Sequence, residues 1–155
     1  MNLIKAVQEL TDGGVEFVII GGWAAALHGS SYVTLDLDIC YSRARDNLNR
    51  VVAAISPFHP RPSDGTAGLP FVWDEAASNL SLSTDLGKID LLAEVSGVGT
   101  FDDARANAVM MPAFEREVWT LDLPALIASK RAAGRPKDLN LIPELESLLE
   151  ATERE

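Results

Sequence analysis

Residues 35–39 alternate leucine or isoleucine with aspartate: Leu35, Asp36, Leu37, Asp38, Ile39. A period of two belongs to a β-strand with one apolar and one polar face, so this stretch has to lie in a sheet buried on one side only. Asp36 and Asp38 then leave the same face. Two like charges side by side are unfavourable unless something positive meets them. A divalent ion is the natural partner, because carboxylate oxygens are hard ligands and Mg²⁺ (or Mn²⁺) leaves room for substrate phosphates. The bland alternative is a solvated edge strand, and Asp-x-Asp alone does not decide between the two.

The neighbouring sequence adds to the pattern. Residues 15–20 are apolar and β-branched, which predicts a buried strand. Gly21-Gly22 breaks it before a short Ala-rich helix over 23–28, ended by Gly29. Backbone N–H groups at such a turn can face an anion, and the absence of side chains lets a phosphate approach. Ser30 and Ser31 then lead into the acidic strand. Further on, 80–84 and 88–94 predict two strands joined by Asp85-Leu86-Gly87 as a hairpin. Asp90 sits between Ile89 and Leu91, on the polar face of its strand, where it supplies a third carboxylate. Three acids from adjacent strands suit metal-assisted phosphoryl transfer.

The remaining elements follow from punctuation. Leu3, Ile4, Val7 and Leu10 predict a helix stopped by Asp12-Gly13-Gly14. Ser42 is placed to cap a helix whose stripe is Leu48, Val51, Val52 and Ile55. Prolines and glycines at 57, 60, 62, 65, 68 and 70 predict a long loop over 56–70. Thr100 and Asp103 form a capping-box pattern for a helix to about Asn107. Strands are expected over 109–111 and 117–120. Pro124 and Gly134 bracket a helix carrying Lys130. Helix resumes at Arg135, with Pro143 expected to divide it and an acidic tail from about 144 to 155 expected to fray.

These elements predict one α/β (α+β) domain over 1–155, a mixed β-sheet flanked by helices. The chain of 155 residues is 47% hydrophobic and 23% charged, with 13 Lys+Arg against 23 Asp+Glu and a net charge of −10. That balance argues against broad nucleic-acid or anionic-membrane binding, so phosphate chemistry must rest on a local patch or on metal ions. Lys130, Arg131, Arg135 and Lys137 are such a patch, although cations in a last helical turn also complement the helix dipole. The single cysteine, Cys40, excludes an internal disulfide and reads as a small core residue. His28 reads as a backbone partner and His59 as a loop residue. Trp23, Trp73 and Trp119 read as core or interface. No apolar run approaches membrane-spanning length and no leader pattern opens the chain, so a cytoplasmic location is expected.

Taken together, residues 21–39, from Gly21-Gly22-Trp23 through Gly29-Ser30-Ser31 to Asp36-Leu37-Asp38, resemble the core motif of the nucleotidyltransferase superfamily with its DNA polymerase β-like fold. The nearest likeness is to small AbiEii toxin-like nucleotidyltransferases, partners in type IV toxin–antitoxin pairs. The run Lys130 to Leu139 looks like their basic helix–turn segment. The resemblance implies a minimal nucleotidyltransferase fold with C-terminal helices. It also implies metal-dependent transfer of an NMP from an NTP to an acceptor hydroxyl of RNA, a protein or a small molecule. Gly21, Gly22 and Ser30 would hold triphosphate, Asp36, Asp38 and Asp90 would hold metal, and Lys130 and Asp138 would contact nucleotide. A cognate antitoxin or a homodimer mate is the implied partner. The chain departs from the pattern at Tyr32, where relatives often carry Arg, and at Leu141, where they often carry an acid. A nucleotide-binding or partner-binding protein that keeps the fold without turnover is therefore the alternative.

Overall fold

The computed structural model describes residues 2–32, 34–63 and 79–154. In chain order the elements are α1 (Leu3–Asp12), β1 (Phe17–Ile19), α2 (Gly21–Leu27), β2 (Leu37–Tyr41) and α3 (Arg45–Ile55). A 3₁₀ turn (Ser56–Phe58), β3 (Arg61–Pro62), β4 (Leu80–Thr84), β5 (Gly87–Leu92), β6 (Glu94–Val95) and β7 (Gly99–Thr100) follow. The chain continues with α4 (Phe101–Ala106), β8 (Ala108–Ala113), β9 (Arg116–Leu121), α5 (Leu123–Ala133) and α6 (Pro136–Glu153). Seven strands form one mixed sheet in the order β3-β4-β5-β2-β1-β9-β8, and β6 and β7 pair separately. The expected mixed sheet flanked by helices is the observed architecture.

The centre of the sheet explains the alternation in sequence. β2 runs parallel to β5, with Leu37 opposite Ile89, Asp38 opposite Asp90 and Ile39 opposite Leu91. Leu82 on β4 lies opposite Ile89. Leu37, Ile39, Ile89, Leu91 and Leu82 are all buried, so one face of this three-strand patch belongs to the core. The apolar stripe of α1 (Leu3, Val7, Leu10) is buried too, and Leu3 reaches the Gly87 turn of the β4–β5 hairpin. Asn47 on α3 is fully buried and ties two strand ends together. Its Oδ1 accepts from the Glu16 N–H at 2.6 Å, and its Nδ2 donates to the carbonyls of Glu16 and Ser42 at 3.0 and 2.8 Å.

Several boundaries differ from the sequence reading. β1 is shorter than 15–20, and β2 begins at Leu37, so Asp36 lies in the bend before it. The cap of α3 is Ala44 without a side-chain bond, because Ser42 sits two residues too early and its hydroxyl accepts from the Ala44 N–H instead. Pro143 does not divide the last helix. α6 is continuous through it, with Leu141, Ile142 and Leu145 buried around an exposed proline, and it packs along α5. Packing here outweighs the lost backbone bond. The tail is helical to Glu153 rather than frayed, and Glu144 accepts hydrogen bonds from Ser31. Within 56–70, the 3₁₀ turn and β3 occupy the start, while 64–70 and Trp73 lie outside the described residues. The hairpin, the Thr100–Asp103 capping box and the Gly134 helix end are as expected.

Candidate active site

The register that buries the leucines also assembles the acids. Asp38 and Asp90 are directly opposed across β2 and β5, and one step back along the pair brings Asp36 beside Lys88. Asp90 is further held by Ser81 on β4, whose hydroxyl donates to its Oδ1 at 2.6 Å. Asp38 is half-buried and its carboxyl is pushed up to about 7. Burial is the main cause, followed by a hydrogen bond and charge repulsion from Asp90 and repulsion from Asp36, with Lys130 pulling the other way. The three carboxylates thus converge on one cavity and repel one another there. Among the described residues, no group of three Asp, Glu, His or Cys side chains is arranged to hold a metal ion as it stands.

The glycine turn sits against these acids because nothing larger fits. Gly21 has φ +64°, and a Cβ there would lie 2.6 Å from Asp38 Oδ2. A Cβ on Gly22 would lie 2.8 Å from Thr34 and 3.0 Å from the Tyr32 ring. Close approach of the backbone to Asp38 therefore favours glycine at 21, and close approach to Thr34 and Tyr32 favours it at 22.

Opposite the sheet stands the α5–α6 corner. Asp138 is 1% exposed and its two oxygens are taken. Lys130 Nζ lies 3.4 Å from Oδ1, and Arg135 donates to Oδ2 at 2.6 Å and to Oδ1 at 3.2 Å. Burial works to raise the Asp138 carboxyl, but the Arg135 hydrogen bond and the two cationic charges outweigh it and hold the group below the usual range. Asp138 is thus an internal anchor for Lys130 and Arg135.

Two cavities of about 250 Å³ each share Asp38, Lys130, Arg135 and Asp138. One adds Gly22, Tyr32, Asp36, Lys88, Asp90 and Lys137. The other adds Gly21, Asn79, Glu94, Ser96 and Ser129. Seven of the sequence-derived positions, Asp36, Asp38, Asp90, Gly21, Gly22, Lys130 and Asp138, therefore gather around one place. Ser30 is turned elsewhere: its hydroxyl accepts from the Tyr32 N–H at 3.0 Å and reaches Glu144 of α6.

The other candidates take structural roles. Arg131 pairs with Glu146 on the exposed surface of the helix pair. His28 Nε2 meets the Leu121 carbonyl at 2.8 Å. His59 has a partner not visible in sequence, Asp85 at 2.6 Å. Cys40 is buried two residues beyond Asp38, with burial pushing its thiol up to about 11. Trp23 stacks edge-on against Phe114, and Arg105 lies over Trp119. Lys88 and Ser81 were missed in sequence. The signal for Lys88 was its position two residues before Asp90, on the same strand face.

Comparison with known proteins fits this geometry. No protein-family profile and no curated protein matches the sequence. Solved structures do match over nearly the whole chain. The lincosamide antibiotic adenylyltransferase LnuA, bound to lincomycin, superposes with a TM-score of 0.63 at 13% identity, covering 94% of this chain and 95% of that one. ANT(2'')-Ia in complex with adenylyl-2''-tobramycin gives 0.59 at 14% identity, covering 98% and 95%. A Thermotoga maritima protein described as a nucleotidyltransferase gives 0.54 at 15% identity, covering 99% and 90%. The chain has the fold of the nucleotidyltransferases.

Proposed function

We propose that this protein is a metal-dependent nucleotidyltransferase that moves an NMP from an NTP to an acceptor hydroxyl. The observation that carries the reading is the opposition of Asp38 and Asp90 across β2 and β5, with Asp36 alongside and four cations on the same cavity. Repelling, half-buried carboxylates are costly to keep, and hard oxygen donors in that state fit Mg²⁺ or Mn²⁺. Asp36, Asp38 and Asp90 would hold the metal, which when bound polarises phosphate oxygens and offsets their charge.

The chain's own residues would do the rest. Gly21 and Gly22 let the phosphates approach the sheet without a side chain in the way. Lys130, held in place by Asp138, faces the charge that develops on the departing pyrophosphate. Asp90, oriented by Ser81, would take the acceptor hydroxyl's proton. The acceptor oxygen forms a bond to the α-phosphorus, the α–β bridging bond breaks, and pyrophosphate leaves with the electron pair.

The acceptor we favour is a small hydroxylated molecule, by analogy with the antibiotics bound in LnuA and ANT(2'')-Ia. RNA or a protein hydroxyl, a toxin role with a cognate antitoxin, and a homodimer are further proposals that the resemblance in residues 21–39 supports. Among the described residues no helix is long and apolar enough to cross a membrane. A second reading, nucleotide binding without turnover, is favoured by uncharged Tyr32 on the cavity wall and by the pairing of Asp36 with Lys88. Calorimetric titration of each NTP with and without Mg²⁺, on wild type and on Asp36→Ala/Asp38→Ala, tests the proposal. Metal-dependent binding of a nucleotide, lost in the double variant, is expected. No binding of any nucleotide to wild type overturns it, and binding with no pyrophosphate release across acceptor classes supports the second reading.

A further inference from the structure

We propose that Lys88 is the exchangeable cation of the nucleotide cavity, paired with Asp36 at rest and turned to the terminal phosphates of a bound triphosphate. The inference rests on the transferase reading above. Its ground is the difference in commitment between Lys88, the cation on the sheet side, and Lys130 and Arg135 at the α5–α6 corner, while Lys137 is an exposed cation of α6 on the same cavity.

Lys130 and Arg135 are bound to Asp138, which is 1% exposed. If either left, a buried carboxylate would lose one of its two cationic partners, so both are held more firmly than a surface pair. Lys88 is held differently. Its Nζ lies 3.6 Å from Asp36 Oδ2, and the two side chains are 41% and 42% exposed. An ion pair that long and that wet is worth little, so exchanging it costs little. A lysine on a flexible four-carbon stem can swing between partners that share one cavity.

Tyr32 makes the need for such a charge specific. It lines the same cavity, and its ring packs against Gly22. The wall above the glycine turn therefore carries no charge of its own, and a phosphate lying along it meets Lys130, Arg135 and Lys137 from the α5–α6 side and Lys88 from the sheet side. Lys88, two residues before Asp90 on β5, is on that side. Its present partner, Asp36, is also one of the three acids that a divalent ion would claim. When a metal neutralises Asp36, the ammonium loses its reason to stay there.

The test measures binding of metal alone, NMP and NTP to wild type, Lys88→Met and Lys88→Arg, with the nucleotide titrations at saturating Mn²⁺. Lys88→Met should weaken NTP binding about tenfold, the size of one charge-assisted phosphate contact. NMP binding should change less than about twofold, since the lost contact is to the outer phosphates. Lys88→Arg should retain most NTP affinity. Mn²⁺ alone should bind Lys88→Met as tightly as wild type or more tightly, because the competitor for Asp36 is gone. Unchanged NTP affinity in Lys88→Met overturns this proposal while leaving the transferase reading intact. An equal loss of NTP, NMP and Mn²⁺ also overturns it, as that reports general damage. Wild type that binds no nucleotide overturns both readings.

Discussion

Asp38 lets function and stability be set against each other. The carboxyl is displaced from 3.8 to about 7 in the folded chain. The folded state therefore holds this proton more tightly than the unfolded state does, and stability falls as pH rises through the interval from about 4 to about 7. The ceiling on that loss is roughly 4 kcal/mol, at about 1.4 kcal/mol for each pH unit. The charges facing Asp38 are Asp36 and Asp90 from the sheet and Lys130 and Arg135 from the α5–α6 corner. Because the two cations remain after substitution and Asn keeps the shape, we expect Asp38→Asn to recover about half the ceiling, some 2 kcal/mol at pH 8. For a chain of this size that is about 4–8 °C in melting temperature. The assay is urea unfolding of both proteins from pH 4 to 8 in chelator, followed by circular dichroism. The variant should be the more stable at pH 8, and the gap should close toward pH 4. Added Mg²⁺ should stabilise wild type but not the variant. Equal stabilities at pH 8 with parallel pH profiles would refute the argument that repulsion and burial strain this carboxylate.

Asp138→Ala should cost about 3 kcal/mol in urea unfolding, because it leaves Lys130 short of its buried partner, and should weaken nucleotide binding with it. Gly21→Ala should lower the unfolding free energy by about 1–2 kcal/mol and abolish metal-dependent nucleotide binding, since φ +64° and the 2.6 Å approach to Asp38 both disfavour a Cβ. Asn47→Ala should cost about 3 kcal/mol, because it strands the Glu16 N–H and two carbonyls. It should leave the nucleotide Kd unchanged, since Asn47 contacts the far ends of β1 and β2 from the acids. Pro143→Ala should raise the melting temperature by a few degrees, as the exposed proline interrupts a continuous helix whose packing does not involve its ring.

Local order was legible wherever the pattern had a short period. The alternation at 35–41 revealed that Asp36 and Asp38 share a side, and the Asp85-Leu86-Gly87 turn placed β4 against β5. The glycine pair marked the turn that presses against Asp38. Pro143 misled because a local penalty says nothing about the helix packed alongside. Ser42 misled by two residues, since a cap depends on where the helix geometry begins. Beyond that hairpin, the strand register and the pairing order were not readable. They arise from which faces can be buried together, across separations of up to a hundred residues. That order puts Asp90 opposite Asp38, brings Lys88 to Asp36 and sends Ser30 toward Glu144. It also buries Asp138 between Lys130 and Arg135, where sequence suggested a ligand contact. The amino-acid sequence by itself determined which side chains could carry charge and which way each strand or helix faces, because those follow from chemistry and periodicity within a few residues. Only the tertiary structure decided which charges confront each other and which are already spent on a buried partner, because electrostatic cost depends on distance and desolvation, and both are set by packing.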